Sequence, residues 1–217
     1  MTFRLTGIRE RVEQKLADKT NAIWDRTWLD EAIRDALFDY SQVNPQDKIG
    51  TVTAGSDTYE LDISEVTGLL SVSEVWTPYT ASDPEHPPNR RAFKLWFDSK
   101  ILYFPNYQVP SGDVSRIFYT ALQTINGLDG ASSTTVPAID ETLLVAGALG
   151  HATTSRSIDL TEKVSIDPAS SQQVRAWGLS KMQEFRAGLN AVGRRVALRS
   201  SGRVETGRLD CYDGEWS

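Results

Sequence analysis

The feature that most limits how this 217-residue chain can fold is the order of its predicted elements. They are two amphipathic helices, about ninety residues of strand, two more helices and a basic tail. In TWLDEAIRDALFDY, apolar residues recur at helical spacing and therefore share one face. The preceding LTGIRERVEQKLAD repeats the pattern. Neither helix can bury its apolar face alone, so each must pack against other helices. The predicted helical core consists of Leu5, Ile8, Val12, Leu16, Leu29, Ile33, Leu37, Phe185 and Leu189.

Local signals set the bounds of the first two helices. The first is predicted over residues 3–18, and polar residues follow it. Thr27 is a suitable N-cap for the second helix, with an acidic residue three positions later. This helix should end near Val43, because Pro45 cannot continue it.

The last two helices have a different composition. Pro137 opens the third, over about 138–157, where small side chains predict the closest packing and deepest burial of the four. The fourth is predicted to run to about Val192, with Gly193 as its C-terminal cap.

Alternating residues in the middle of the chain predict antiparallel strands. Residues 49–53 and 58–63 flank Ala-Gly-Ser-Asp and predict a hairpin. A longer strand is expected over 69–79. One side of that strand should carry Leu70, Val72 and Trp76.

A second hairpin is predicted between residues 91–97 and 100–104, across a tight Asp98-Ser99 turn. Phe93, Leu95 and Phe97 share one of its faces. Residues 114–122 predict a last strand, before a polar stretch rich in Gly and Ser.

Together these elements predict an α+β fold. It consists of a four-helix bundle built from both chain ends, a β-rich insertion between helices 2 and 3, and an extended C-terminal arm. The predicted domains are a bundle of 1–45 with 137–193, a β-rich domain of 46–125, a linker of 126–136 and an arm of 194–217.

Composition argues against several functional classes. The net charge of −6 disfavours nucleic-acid binding by the bulk surface. No segment approaches the about 18 consecutive apolar residues of a membrane span. The two histidines, His86 and His151, and the single Cys211 are far apart and lack metal-ligand spacing. The sequence therefore predicts no metal, no cofactor and no catalytic residues.

The tail differs from the rest of the chain. Residues 194–208 hold five arginines against one glutamate, a net charge of +4 in an acidic protein. Three interpretations stay open: a solvated terminus, an arm that docks on an acidic or carbonyl-rich groove of a protein partner, and a contact with DNA phosphates. The predicted docking residues are Arg194, Arg195, Arg199, Arg203 and Arg208.

The opening of the chain, an amphipathic helix, a short loop with Trp and then TWLDEAIRDALFDYSQVNP, resembles head-to-tail connector proteins of tailed bacteriophages. These are also called adaptor or head-completion proteins. TVTAGSDTYELD and the strand leading to VWTPY are similar to the β-rich insertion of larger members. The match in sequence spans about residues 5–79, and the order of elements matches over most of the chain.

This resemblance implies a non-enzymatic structural protein of the virion neck, assembled in the host cytoplasm. Such adaptors form a ring, commonly twelve-fold, beneath the portal protein, and their exposed side receives the tail or a second adaptor. Genomic DNA would pass through the channel without specific binding. By position, the tail arginines become a portal-docking arm, and a Pro-rich loop becomes the tail-side contact. That loop comprises Pro84, His86, Pro87, Pro88 and Asn89.

Three other functions stay open at this point. A tail-completion or tail-terminator protein would bind tail tubes but not portals. A nucleic-acid module acting through the arginine arm would bind more weakly as salt rises. An enzyme would need a triad or carboxylate pair whose members are distant in sequence.

Overall fold

The computed structural model describes residues 4–18, 24–82, 89–96, 98, 100–162 and 168–200, with side chains described outside 156–162, 168–171 and 199–200. In chain order the elements are α1 (Leu5–Lys15), α2 (Arg26–Val43), β1 (Gln46–Thr53), β2 (Glu60–Asp62), β3 (Leu69–Trp76), β4 (Lys94–Trp96), β5 (Ile101–Tyr103), β6 (Val114–Ala121), a 3₁₀ turn (Ala138–Asp140), α3 (Glu141–Glu162) and α4 (Pro168–Ser200).

Helix α3 lies at the centre of the helical core. It packs against both α2 and α4, which also contact each other. Its residues 144–150 are all buried. A Cβ built at Gly147 would lie 2.8 Å from Phe185 Cε2 in α4 and 2.9 Å from Ala36 Cβ in α2. The prediction that this helix is deeply buried and closely packed is confirmed.

The predicted four-helix bundle built from both chain ends is wrong. With 11 residues against 33 in α4, and a rise of about 1.5 Å per residue, α1 is too short to run alongside α4. It is attached instead to the loop after β6, where the Leu5 N–H donates to the Asn126 carbonyl at 3.0 Å. An ion pair of 2.5 Å joins Arg9 to Asp30 in α2. The loop also supplies Ile125, Leu128 and Val136 to the core. The described residues thus form a mixed α+β fold, in which loop residues cover apolar helix faces that a bundle would cover with another helix.

The predicted extended arm is wrong over residues 194–200, because α4 continues to Ser200. Val196 packs against the helical core, and Arg195 is bonded to Asp140. Gly193 lies inside the helix, where a Cβ would be 3.2 Å from Val43 Cγ1. This glycine permits a close approach of α4 to the end of α2 and does not end the helix.

The start of α2 also differs from the prediction. The helix begins at Arg26, and its N-cap is Asp25, whose carboxylate accepts the Thr27 N–H at 3.2 Å. Thr27 therefore lies in the first turn. Aspartate and threonine both serve as caps, so the sequence pattern alone did not distinguish them.

The described strands form two three-stranded antiparallel sheets, in the orders β1-β6-β3 and β2-β5-β4. The predicted hairpin of residues 49–53 with 58–63 is wrong. All eight residues of β1 pair with β6, from Gln46 opposite Ala121 to Thr53 opposite Val114. The three-residue β2 would leave most backbone groups of β1 without a partner, whereas β6 satisfies them along the whole strand.

The second predicted hairpin is confirmed. β4 pairs with β5, with Lys94 opposite Tyr103 and Trp96 opposite Ile101. Phe93 and Leu95 pack against the core of the β-rich region. Phe97 lies outside the described residues.

Strand β3 has a different buried side from the one predicted. Leu69 and Val75 are its buried residues, whereas Leu70, Val72 and Trp76 are half-buried. Its pairing with β6 shifts register between Leu69 and Ser71 and again between Val72 and Glu74. Each irregularity moves the alternation by one residue, which a strict period of two does not anticipate.

Replacing Gly147 with Ala tests the close packing of α3. We expect Gly147→Ala to lower the free energy of unfolding by about 1–3 kcal/mol, because the new methyl group would overlap Phe185 and Ala36. Gly7→Ala in α1 is the matched control, since a Cβ there meets nothing within 4 Å. It should be neutral or stabilising by about 0.4–1 kcal/mol. Urea denaturation followed by circular dichroism measures both. Equal effects of the two substitutions would contradict the packing argument.

Candidate interaction surfaces

The nine predicted core residues lie in one apolar cluster. Seven are buried and two are partly buried against them. The buried ones are Leu5, Ile8, Val12, Leu29, Ile33, Leu37 and Phe185, and the partly buried ones are Leu16 and Leu189. These side chains stabilise the helices, so interaction sites lie on other faces.

The predicted docking arginines occupy different environments. Arg194 is exposed on α4. Arg195 is partly buried, and its Nη2 lies 2.5 Å from Asp140 Oδ2. The side chain of Arg199, and the whole of Arg203 and Arg208, lie outside the described residues. Arg195 thus takes part in an internal ion pair.

Asp140 joins three elements through one carboxylate. Its side chain is only 5% exposed, and Oδ2 accepts hydrogen bonds from the Tyr40 hydroxyl at 2.7 Å and from Arg195 at 2.5 Å. Asn44 donates to the Tyr40 hydroxyl oxygen at 2.6 Å. Burial and the bond to Asp140 raise the pKa of Tyr40. The same carboxylate raises the pKa of Arg195. Tyr40 therefore stays neutral and Arg195 charged, and together they fix α2 and α4 to the 3₁₀ turn.

The Pro-rich loop is only partly described. Pro84, His86, Pro87 and Pro88 lie outside the described residues. Asn89 is half-buried, and its carbonyl accepts the Thr77 N–H at 3.0 Å. This bond places the end of the loop beside the last residues of β3.

Next to this loop, three aromatic rings surround one guanidinium. We call Trp76, Tyr79, Arg116 and Phe118 the aromatic–arginine surface. Arg116 Cζ lies 4.9 Å from the Tyr79 ring centroid, 5.3 Å from that of Phe118 and 5.6 Å from that of Trp76. Its Nη1 also donates to the Tyr79 hydroxyl at 2.9 Å. Aromatic and arginine side chains contribute most to many protein interfaces.

Neighbouring contacts hold these rings in place. The Trp76 and Phe118 centroids are 4.7 Å apart, and Trp76 Nε1 donates to Glu74 at 2.5 Å. Arg90 pairs with the same glutamate. Side chains that are already ordered lose less entropy when a partner binds. The sequence did not identify this surface in advance, although Arg116 and Phe118 are two residues apart in β6 and therefore lie on the same face of the strand.

The side of α4 that points away from α3 is apolar for an exposed helix face. Leu179 is 48% exposed and Leu198 is 75% exposed. Small or uncharged side chains share this face with Arg194, and the exposed Arg175 and Arg186 lie at its border. We define the outer α4 face as Ala176, Leu179, Ser180, Gln183, Ala187, Asn190, Arg194 and Leu198.

Possible catalytic groups are few in the described part of the chain. His151 Nε2 lies 3.1 Å from Asp39 Oδ2, at a half-buried position between α3 and α2. No group of three or more metal-ligating side chains occurs among the described residues. Likewise, none of the described helices has the length and apolar content needed to cross a membrane.

Neither a protein-family model nor a curated protein matches this chain. Two solved structures are similar to it at low identity. One is a chain in the neck of an empty gene transfer agent (GTA) particle computed with C6 symmetry, 14% identical over 79% of this chain and 86% of that chain, with a TM-score of 0.31. The other belongs to the neck of a native GTA particle computed with C12 symmetry, 12% identical over 80% and 86%, with a TM-score of 0.28. TM-scores at this level do not establish a common fold.

The Tyr40–Asp140 bond predicts a pH dependence of stability. The pKa of Tyr40 is raised in the folded protein, so the unfolded chain loses this proton first as pH rises. We expect the full contribution below about pH 10 and a loss of up to about 1.4 kcal/mol per pH unit above it. The measurement is the difference in unfolding free energy between the wild type and Tyr40→Phe, from pH 8 to pH 11. Tyr59→Phe, at an exposed ring, is the control. A difference that stays constant up to pH 11 would contradict the prediction.

Proposed function

We propose that this protein is a structural subunit of the neck of a phage-like particle, where it forms a ring beneath the portal and joins the DNA-filled head to the tail. The outer α4 face is the observation that carries the proposal. A 33-residue helix presents exposed leucines and small side chains, whereas an exposed face in a monomer is normally charged. Such a face suits packing against another protein. The resemblance of residues 5–79 to connector proteins supports the same conclusion.

A ring requires two different lateral surfaces on each subunit, so that every copy contacts the next through a rotation that closes. The outer α4 face supplies one such surface. Its small residues let a neighbouring backbone approach, and Leu179 and Leu198 offer apolar area to bury. Neighbouring copies, twelve in the common form of such rings, are therefore the first partners.

The charge of the chain supports passive passage of DNA. A net charge of −6 repels phosphates, so a channel built from these subunits would let genomic DNA pass without gripping it. A nucleic-acid module acting through the tail arginines is the alternative. It would require binding that weakens steeply with salt.

The portal-docking arm is assigned to the chain end, with Arg199, Arg203 and Arg208 as its cations. Arg195 is a poorer candidate, because Asp140 already neutralises it. Arg194 is a poorer candidate too, because it lies on the outer α4 face, which is assigned to a neighbouring copy. The tail-side contact is assigned to the Pro-rich loop together with the adjacent aromatic–arginine surface.

Truncation after Ser200 tests the docking arm. We expect the full chain to add a ring to portal particles in electron micrographs, and a 1–200 variant to add none, because it lacks Arg203 and Arg208. The cut follows α4, so it preserves Val196 packing and the Arg195–Asp140 pair, and thermal unfolding should be unchanged. If the full chain and the 1–200 variant each add a ring, the neck function stands and the docking role of the arm is rejected. No ring with either chain would overturn the proposed function.

Removing the Trp76 and Arg116 side chains tests the tail-side surface. We expect Trp76→Ala combined with Arg116→Ala to leave portal docking intact and to weaken binding of the tail or second adaptor by about tenfold or more. Trp96→Ala is the matched control, since this exposed Trp stacks on Tyr103 at 5.4 Å in the other sheet. Co-sedimentation with tails measures binding. Equal losses from both tryptophans would contradict the assignment.

A further inference from the structure

The outward faces of α2 and α4 are two distinct surfaces of the helical core. Each helix buries one face towards α3, through Leu29 and Ile33 in α2 and through Phe185 in α4. Their remaining faces differ in composition. Two distinct surfaces on one subunit are what a head-to-tail contact between copies needs.

The outward face of α2 is acidic and contains one exposed ring. The Glu31 side chain pairs with Arg34 at 2.5 Å but is 69% exposed, and Phe38 is 53% exposed. Asp35 is exposed and makes no ion pair with another described residue. We call Glu31, Asp35, Phe38 and Asp39 the acidic α2 face.

A shallow pocket adjoins this face, between α2 and α3. Its lining combines carboxylates with an indole, and consists of Thr27, Trp28, Glu31, Ala32, Asp35 and Ser155. Carboxylates beside an aromatic ring are favourable surroundings for a guanidinium, which forms bidentate bonds and stacks on the ring.

Helix α4 carries the complementary charge. Arg175, Arg186 and Arg194 are exposed on or beside the outer α4 face. None of the three pairs with an acid among the described residues, whereas Lys181 on another side of the helix pairs with Glu184 at 2.5 Å. Among the described residues, these arginines form no ion pair with the acids of α2 in their own chain.

We propose that the outer α4 face of one copy packs against the acidic α2 face of the next copy, with one α4 arginine entering the Trp28 pocket and Phe38 meeting the α4 leucines. The proposal rests on the ring-forming function and names the two surfaces that close the ring. A symmetric pair of α4 faces would place arginine against arginine. Charge complementarity thus selects the head-to-tail arrangement.

Charge reversal on each face tests this contact in the full chain. One variant carries Arg186→Glu and Arg194→Glu, and a second carries Glu31→Lys and Asp35→Lys. All four side chains are exposed, and circular dichroism with thermal unfolding confirms that each variant folds. Lys15→Glu with Lys94→Glu is the control, because it makes the same charge change as the first variant on other exposed surfaces. Native mass spectrometry and electron microscopy, with and without portal particles, measure assembly.

We expect each two-site variant alone to weaken association by about tenfold or more, because like charges then face each other. The control should assemble as the wild type does. Two restorations are expected. A chain with all four reversals should form rings, and an equimolar mixture of the two variants should form rings of alternating subunits.

Three results would overturn the inference. Reversals without effect on a ring that the wild type forms would reject these surfaces while keeping the neck function. Rescue by the mixture but not by the four-site chain would indicate a symmetric α4 contact instead. Absence of any wild-type assembly, alone or on portals, would reject the ring-forming function itself, and the proposed contact with it.

Discussion

The close packing of α3 against α2 and α4 is the constraint on which the other features depend. At four glycines along these helices a Cβ would lie within 3 Å of a neighbouring side chain. They are Gly147, Gly150, Gly178 and Gly188. Glycine lowers helix propensity, so α3 and α4 gain their stability from this packing and not from their own sequences. The packing also fixes the direction in which α2 and α4 present their outer faces, and every interaction proposed for those faces follows from that direction.

Hydrogen bonds hold the segment after β6 against α2. The Gln123 N–H donates to Ser41 Oγ in α2 at 3.0 Å, and its Nε2 donates to the Asn44 carbonyl at 2.8 Å. Thr135 Oγ1 donates to Gln123 Oε1 at 2.6 Å, so the loop after β6 joins the same junction. The aromatic–arginine surface lies on the sheet that this junction holds. The proposed lateral surfaces on the helices and the proposed tail-side surface on the sheet are therefore held together by the same hydrogen bonds. A subunit needs such a rigid connection if it must contact its neighbours and a second component at once.

The sequence predicted those features whose cause is local. Helical periodicity identified α2 and the core positions from Leu5 to Leu189, and alternation identified the β4–β5 hairpin. Prediction from the sequence failed where the interacting residues are far apart along the chain. The pairing of β1 with β6 spans about seventy residues, and no local pattern favours it over the nearer β2. The role of Asp140 was hidden for the same reason, since Tyr40 and Arg195 lie 100 and 55 residues away. Helix α4 ran past its predicted end because Gly193 has a packing role that composition cannot distinguish from a cap.

The uneven distribution of charge favours a head-to-tail contact between copies. Helix α4 holds six basic residues and one acid, whereas the chain as a whole has a net charge of −6. The positive charge is therefore concentrated in one long helix on an otherwise acidic molecule. Two copies of the same face repel and the two unlike faces attract, so the favoured contact is one that propagates around a ring instead of closing a dimer. The apolar residues of the outer α4 face then supply the area that is buried in the contact. The charges determine which surface of the next copy covers that area.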